Sequence, residues 1–232
     1  MRDLSIKSKL EYISTKKQEL GNILFDSMIK NNKRDDISHL VADILQTSTE
    51  CFDYCAQDII ELLILPTSQK LNKKEREKGF PFFINQLNLL PFNQLVSTNK
   101  LLYDYLAKLA FNADNNINIA NTCISSSLPR EIRILVNNKK HSDILEINNQ
   151  GQEQIVADLE EMQVVIPVMQ NGFTINEQII EGNIKALVKA TAYELKENGE
   201  EVFSFCVSCQ TSTEIILNDI YKNFLGSKIS FK

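Results

Sequence analysis

Apolar positions recur at helical spacing through the first 65 residues. Leu10, Ile13, Leu20, Ile23, Leu24 and Met28 lie on one stripe over residues 4–30, which Gly21 weakens but does not end. The polar stretch Asn31 to Asp36 reads as a turn, from which Asp35 or Asp36 caps a second long helix. That helix runs from Ile37 to Leu65 with Leu40, Ile44, Cys51, Cys55, Ile59, Leu62 and Leu63 on its apolar face, and Pro66 stops it. A loop of about 15 residues follows, longer than most connections in a compact domain. It ends in Gly79-Phe80-Pro81-Phe82-Phe83-Ile84, an aromatic knot expected to fold back over the helix pair. A third helix is predicted from Ser97 or Thr98 through Leu102, Tyr105, Leu106, Leu109 and Ala110. A fourth starts at Ser126 or Ser127, with Pro129 in its first turn.

After His141 the period changes toward two. Ile144 and Ile147 alternate with polar neighbours, Met162 to Gln170 is an apolar run of strand length, and Asn171-Gly172 is a hairpin signal. Asn183 to Leu195 alternates, and Val202-Phe203-Ser204-Phe205-Cys206-Val207 reads as the clearest strand in the chain. Ile215, Ile216, Ile220, Tyr221 and Phe224 close the sequence with an amphipathic helix. The expected fold class is α+β. A helical bundle domain occupies residues 1–142, and an α+β domain occupies 143–232, with a small antiparallel sheet and one or two helices.

Composition supports this picture. Seven glycines and five prolines in 232 residues are too few for a turn-rich sandwich or barrel. A net charge of −5 gives no global footprint for nucleic acid. The densest basic run, Lys70 to Lys78, is broken by Glu75 and Glu77 and reads as a solvated loop or helix end. Leu62 to Leu65 is the longest apolar run, far too short to span a bilayer, and no signal peptide is evident after Met1, so a cytoplasmic protein without membrane contact is expected. Five cysteines at irregular spacing fit reduced thiols.

Candidate chemistry concentrates between Ser125 and His141, where Arg130, Arg133, Asn137, Asn138, Lys139, Lys140 and His141 crowd one short element beside Ile132, Leu135 and Val136. An arginine there can hold a phosphodiester oxygen bidentately, and an imidazole can move a proton near neutral pH. Eight positions on a straight helix separate Arg133 from His141 by about 12 Å and about 80°. They converge only if the helix breaks between them, and Asn137-Asn138 is the expected place, since Asn tolerates a left-handed cap. In the other reading Lys139 and Lys140 offset the helix C-terminal dipole while His141 caps the last carbonyls.

Cys206-Val207-Ser208-Cys209 is a CxxC at an expected strand-to-helix junction, a weak candidate for metal or redox chemistry beside the simpler reading of Cys206 as core and Cys209 as a near-cap residue. Cys51 and Cys55 are one helical turn apart and read as packing. His39 reads as solvated or capping. Asp158, Glu160 and Glu161 read as the wet face of a helix. No phosphate-binding glycine pattern and no nucleophile elbow is present, and no cofactor is expected.

On the strength of Arg133, Asn137 and His141, the helical half resembles the HEPN superfamily, helical bundles in which an Arg and a His four to six residues later form a metal-independent ribonuclease site, paired across a dimer. That resemblance implies Arg133 as the catalytic motif arginine, His141 as the catalytic histidine and Asn137 as an added polar group, although the seven residues between Arg133 and His141 depart from that window. Phe80-Pro81-Phe82, followed by a helix ending in Asn137-Asn138-Lys139-Lys140-His141 and then a β domain, is also similar to uncharacterised bacterial helical-plus-β proteins. The favoured expectation is a non-catalytic cytoplasmic interaction or regulatory protein with a protein partner or self-association; an accessory role in a bacterial mobile-element or defence locus is what the resemblance implies. The alternative is a HEPN-like ribonuclease using Arg133 and His141, and RNA is a partner only in that case.

Overall fold

The structure, a computed structural model, describes residues 1–30, 36–67, 71–139, 147–159, 162–166, 187–196 and 198–226. Those residues are mostly helical. In chain order the elements are α1 (Asp3–Lys30), α2 (Asp36–Ile59), α3 (Lys73–Arg76), α4 (Ile84–Leu87), α5 (Leu95–Thr98), α6 (Lys100–Asp114), α7 (Leu128–Lys139), β1 (Ile147–Leu159), β2 (Met162–Ile166), β3 (Leu187–Leu195) and α8 (Val202–Ile220). His141, the Asn171-Gly172 turn, Glu160 and Glu161 lie outside the described residues.

Two compact units divide the chain, and neither is one continuous stretch. The first joins residues 1–16, 43–143 and 206–232, and the second joins 17–42 and 144–205. The expected boundary at 142/143 lies one residue from the change of unit at 143/144, and residues 206–232 group with the first unit.

In the first unit the expected stripes form the core. Ile6, Leu10 and Ile13 of α1, with Ile44, Leu45, Phe52 and Ile59 of α2, are buried. Each such side chain contributes about 1.5–3 kcal/mol relative to exposure. Beyond Ile59 the helix widens into a π-helical turn, Ile60–Ile64, closed by Leu65 N–H donating to Ile60 O at 2.9 Å. The wider turn rotates the face, burying Ile60 and Ile64 and leaving Leu62 exposed, contrary to the regular 3.6-residue stripe expected there. The loop after Pro66 contains α3, an exposed turn held by a reciprocal cap: Glu75 N–H donates to Asn72 Oδ1 at 3.0 Å and Asn72 N–H to Glu75 Oε2 at 2.7 Å. Asn99, not Ser97 or Thr98, caps the long helix α6, its Oδ1 accepting from Leu102 N–H at 3.1 Å.

Residues 202–207, expected as a strand, form the first turn and a half of α8. Glu201 sets the start, its carboxylate accepting from Phe203 N–H at 2.9 Å and Ser204 N–H at 2.7 Å. Buried positions then recur at helical spacing through Val202, Phe205, Cys206, Cys209, Thr213 and Ile216. Ser212 and Thr213 satisfy their hydroxyls by donating back to Cys209 O at 2.9 and 2.8 Å, so polar residues sit in the buried face without orphaned donors.

In the second unit, β1 pairs antiparallel with β2 (Ile155 opposite Ile166) and with β3 (Ile147 opposite Leu195), giving the order β2-β1-β3. Gln154, Ile155 and Asp158 lie on β1 rather than on the expected helix. Gly199, at φ +71°, turns β3 toward Glu201 and α8. A Cβ at Gly21 of α1 would lie 3.1 Å from the Phe203 ring, a tight contact.

Candidate functional site

Helix α7 organises the candidate site, and its start is where the serines and Pro129 place it. Ser127 O accepts from Glu131 N–H at 3.0 Å, Ser125 and Ser127 hydroxyls lie 2.7 Å apart, and Pro129 sits in the first turn, where its missing N–H costs nothing. Ile132 and Val136 are buried on one face. Two arginines on the same helix are committed to protein partners. The Arg130 guanidinium pairs with Asp114, donates to Ala113 O at 3.2 Å and lies 5.1 Å from the Phe83 ring centroid. Arg133 pairs through Nη2 with Asp53 of α2 and lies 5.7 Å from the Phe82 centroid.

Asp53 is a hub. Its Oδ1 accepts from Arg133 and from Phe80 N–H at 3.2 Å, which fastens the aromatic segment to α2. Gln57, one turn on, donates to Lys78 O at 3.2 Å. Gly79 packs closely against the Asp53 carboxylate: a Cβ there would be 2.6 Å from Asp53 Oδ1, so the carboxylate would have to shift. Phe52, Phe80 and Phe82 then form a three-ring cluster with centroids 4.9–5.1 Å apart. The aromatic knot does fold back over α2, as the sequence suggests.

Beside that cluster lies a cavity of about 250 Å³. Phe80, Phe82 and Phe92 line it, together with Leu89, Leu90 and Ile134, which are 58%, 40% and 43% exposed. Isolated exposed apolar residues are ordinary, but three around one cavity form a patch. Its polar lining is Lys78, Gln86, Arg133 and Asn137, without an acidic side chain.

The helix does not break at Asn137-Asn138; α7 continues through both to Lys139. Arg133 and Asn137, one turn apart, share the cavity. His141 is outside the described residues, so no geometry joins it to them. Cys206 and Cys209 are not at a strand-to-helix junction: both lie within α8, fully buried. Burial pushes the Cys209 thiol up to about 12, although Ser48, whose Oγ accepts its S–H at 3.2 Å, opposes the shift. Burial also pushes Cys51 up to about 12 and raises Cys55 well above the ordinary thiol range. These thiols pack; their environment opposes the thiolate that redox chemistry or metal binding requires. Among the described residues no group of three or more His, Cys, Asp or Glu side chains is placed to hold a metal ion. His39 is exposed on α2.

Sequence reasoning missed the acids. Asp53 borders the Cys51–Cys55 stripe and gave no signal that it faces Arg133. Asp58, fully buried, accepts from Arg2 N–H at 2.6 Å, Arg2 Nη1 at 2.9 Å and Tyr221 Oη–H at 2.7 Å. Burial, with Cys55 and Asp58 nearby, raises the Tyr221 pKa, so its phenol remains a donor. An aspartate within the apolar run from Cys55 to Ile60 was the available clue to such a site.

No protein-family model matches this chain, and no curated protein or solved structure matches it significantly. The local geometry therefore carries the functional argument alone.

Proposed function

We propose that this chain is a non-catalytic interaction module which docks an apolar segment of a partner protein in the cavity beside the Phe52–Phe80–Phe82 cluster. In this reading the protein is α+β, with a helical unit carrying the docking surface and a second unit carrying a small antiparallel sheet. It acts in the cytoplasm as a regulatory or accessory protein; no helix among the described residues is long and apolar enough to cross a membrane. A place in a bacterial mobile-element or defence locus belongs to the same proposal and rests on the resemblance of the Phe80–His141 order alone.

One observation carries the reading: three exposed apolar side chains, Leu89, Leu90 and Ile134, line the same cavity as an arginine already held by Asp53 and Phe82. Interfaces are anchored by a few apolar or aromatic contacts in a preformed pocket, with arginine and polar groups around them. The ribonuclease alternative asks Arg133 to hold a phosphodiester oxygen, and its ion pair with Asp53 competes with that role. The two readings part in the native cell. Ile134→Glu is expected to abolish the cellular function while His141→Ala leaves it intact. Loss of function with His141→Ala, retention with Ile134→Glu, and RNA cleavage by the purified chain would replace the interaction reading with the nuclease.

A further inference from the structure

We infer that the cavity selects a partner segment in which a large apolar side chain is followed or preceded within a few residues by a carboxylate; the inference rests on the docking reading above and specifies its ligand. At about 250 Å³ the cavity falls just below the roughly 300–1,000 Å³ usual for small-molecule and cofactor sites. It suits one inserted side chain better than a whole metabolite. Leu89, Leu90 and Ile134 give that side chain apolar contact.

Charge sets the flank. The ionisable groups lining the cavity are Lys78 and Arg133, both basic. Asp53 offsets Arg133. Lys78 is exposed, and among the described residues no acid pairs with it. The Asn137 amide, also exposed on the lining, is likewise without a hydrogen-bond partner among the described residues. A carboxylate beside the anchor therefore meets an unpaired ammonium and a free amide, whereas a basic flank meets Lys78 with like charge.

A nucleobase is a poorer fit. Phe80 and Phe82 are buried and packed against Phe52, Arg133 lies over Phe82, and Arg130 lies over Phe83. The ring faces that would stack on bases are already taken.

Selection of phage-displayed random peptides on the full chain tests this, with an Ile134→Glu chain as the blocked control and a fluorescent single-stranded RNA as a separate probe. The expected result is enrichment of peptides with an aromatic or leucine-type anchor flanked by Asp or Glu. Such peptides should bind about three- to tenfold tighter than their Lys-flanked counterparts, a preference that added salt weakens and Lys78→Glu reverses. Enrichment of apolar peptides with no acidic preference overturns the ligand assignment and leaves the docking reading standing. No enrichment over the Ile134→Glu control, or RNA binding abolished by Lys78→Glu, overturns both.

Discussion

The Arg133 guanidinium on α7 pairs with the Asp53 carboxylate on α2, across 80 positions of sequence. That link ties the helix richest in candidate chemistry to a core helix of its unit. It also makes a clear prediction. Arg133→Ala or Asp53→Ala should lower stability by about 1–2 kcal/mol, because the hydrogen bonds are charge-assisted but the pair is partly exposed. The double variant should cost less than the sum. Urea unfolding checks this, and strictly additive losses would mean that the two residues do not interact.

Gly79 should be intolerant for a reason unrelated to backbone freedom. A Cβ there meets Asp53 Oδ1 at 2.6 Å, so Gly79→Ala is expected to cost about 1–3 kcal/mol and to disturb the Arg133 pair. In an Asp53→Ser background the same change should cost clearly less. An equal cost in both backgrounds, read by thermal unfolding, would place the clash elsewhere.

The thiols give a pH test. Cys51 and Cys209 are held protonated to about 12, so between pH 9 and 12 the native chain keeps protons that the unfolded chain, with thiols near 9.0, has shed. Their contribution is complete below pH 9 and falls as pH rises through that window, by about 1.4 kcal/mol per pH unit for each thiol. Cys209→Ala should remove one such share from the slope of stability against pH; an unchanged slope would contradict the assignment. A thiol reagent should modify exposed Cys123 in the native chain and reach the four buried cysteines only after unfolding.

Asp58 should be the most sensitive polar position. Asp58→Ala strips partners from the Arg2 guanidinium and leaves the Tyr221 hydroxyl buried without an acceptor, at a cost of about 3 kcal/mol or more. Tyr221→Phe should cost about 1–2 kcal/mol, because the carboxylate keeps Arg2. Equal stability of wild type and Asp58→Ala in chemical denaturation would contradict this network.

Helical periodicity made α1 and α2 legible, because Leu10, Ile13, Ile44 and Ile59 repeat at the spacing that one buried face imposes. The same rule failed at Val202 to Val207. There aromatic and β-branched residues with local alternation look like a strand, and only the Glu201 cap and the buried positions further along, Cys209, Thr213 and Ile216, reveal a helix. Leu62 was misplaced because a π-helical turn cannot be read from a 3.6-residue repeat. At the site, Arg133 and Asn137 stood out by composition and do share a cavity. Asp53 and Leu89 did not, because their role depends on tertiary proximity that local pattern does not encode. A break at Asn137-Asn138, the condition for Arg133 and His141 to converge, is absent from α7: asparagine tolerates a helix end but does not require one.

We propose the cavity lined by Leu89 and Ile134 as a docking surface. Site-specific photo-cross-linking in the native cell tests it most directly, with the reactive side chain at position 134 and, as a control, at Leu101, which is 75% exposed on α6. A discrete protein adduct is predicted from position 134, lost when Leu89→Glu is added and absent from position 101. No adduct at 134, or one that survives Leu89→Glu and forms equally from position 101, would contradict the account.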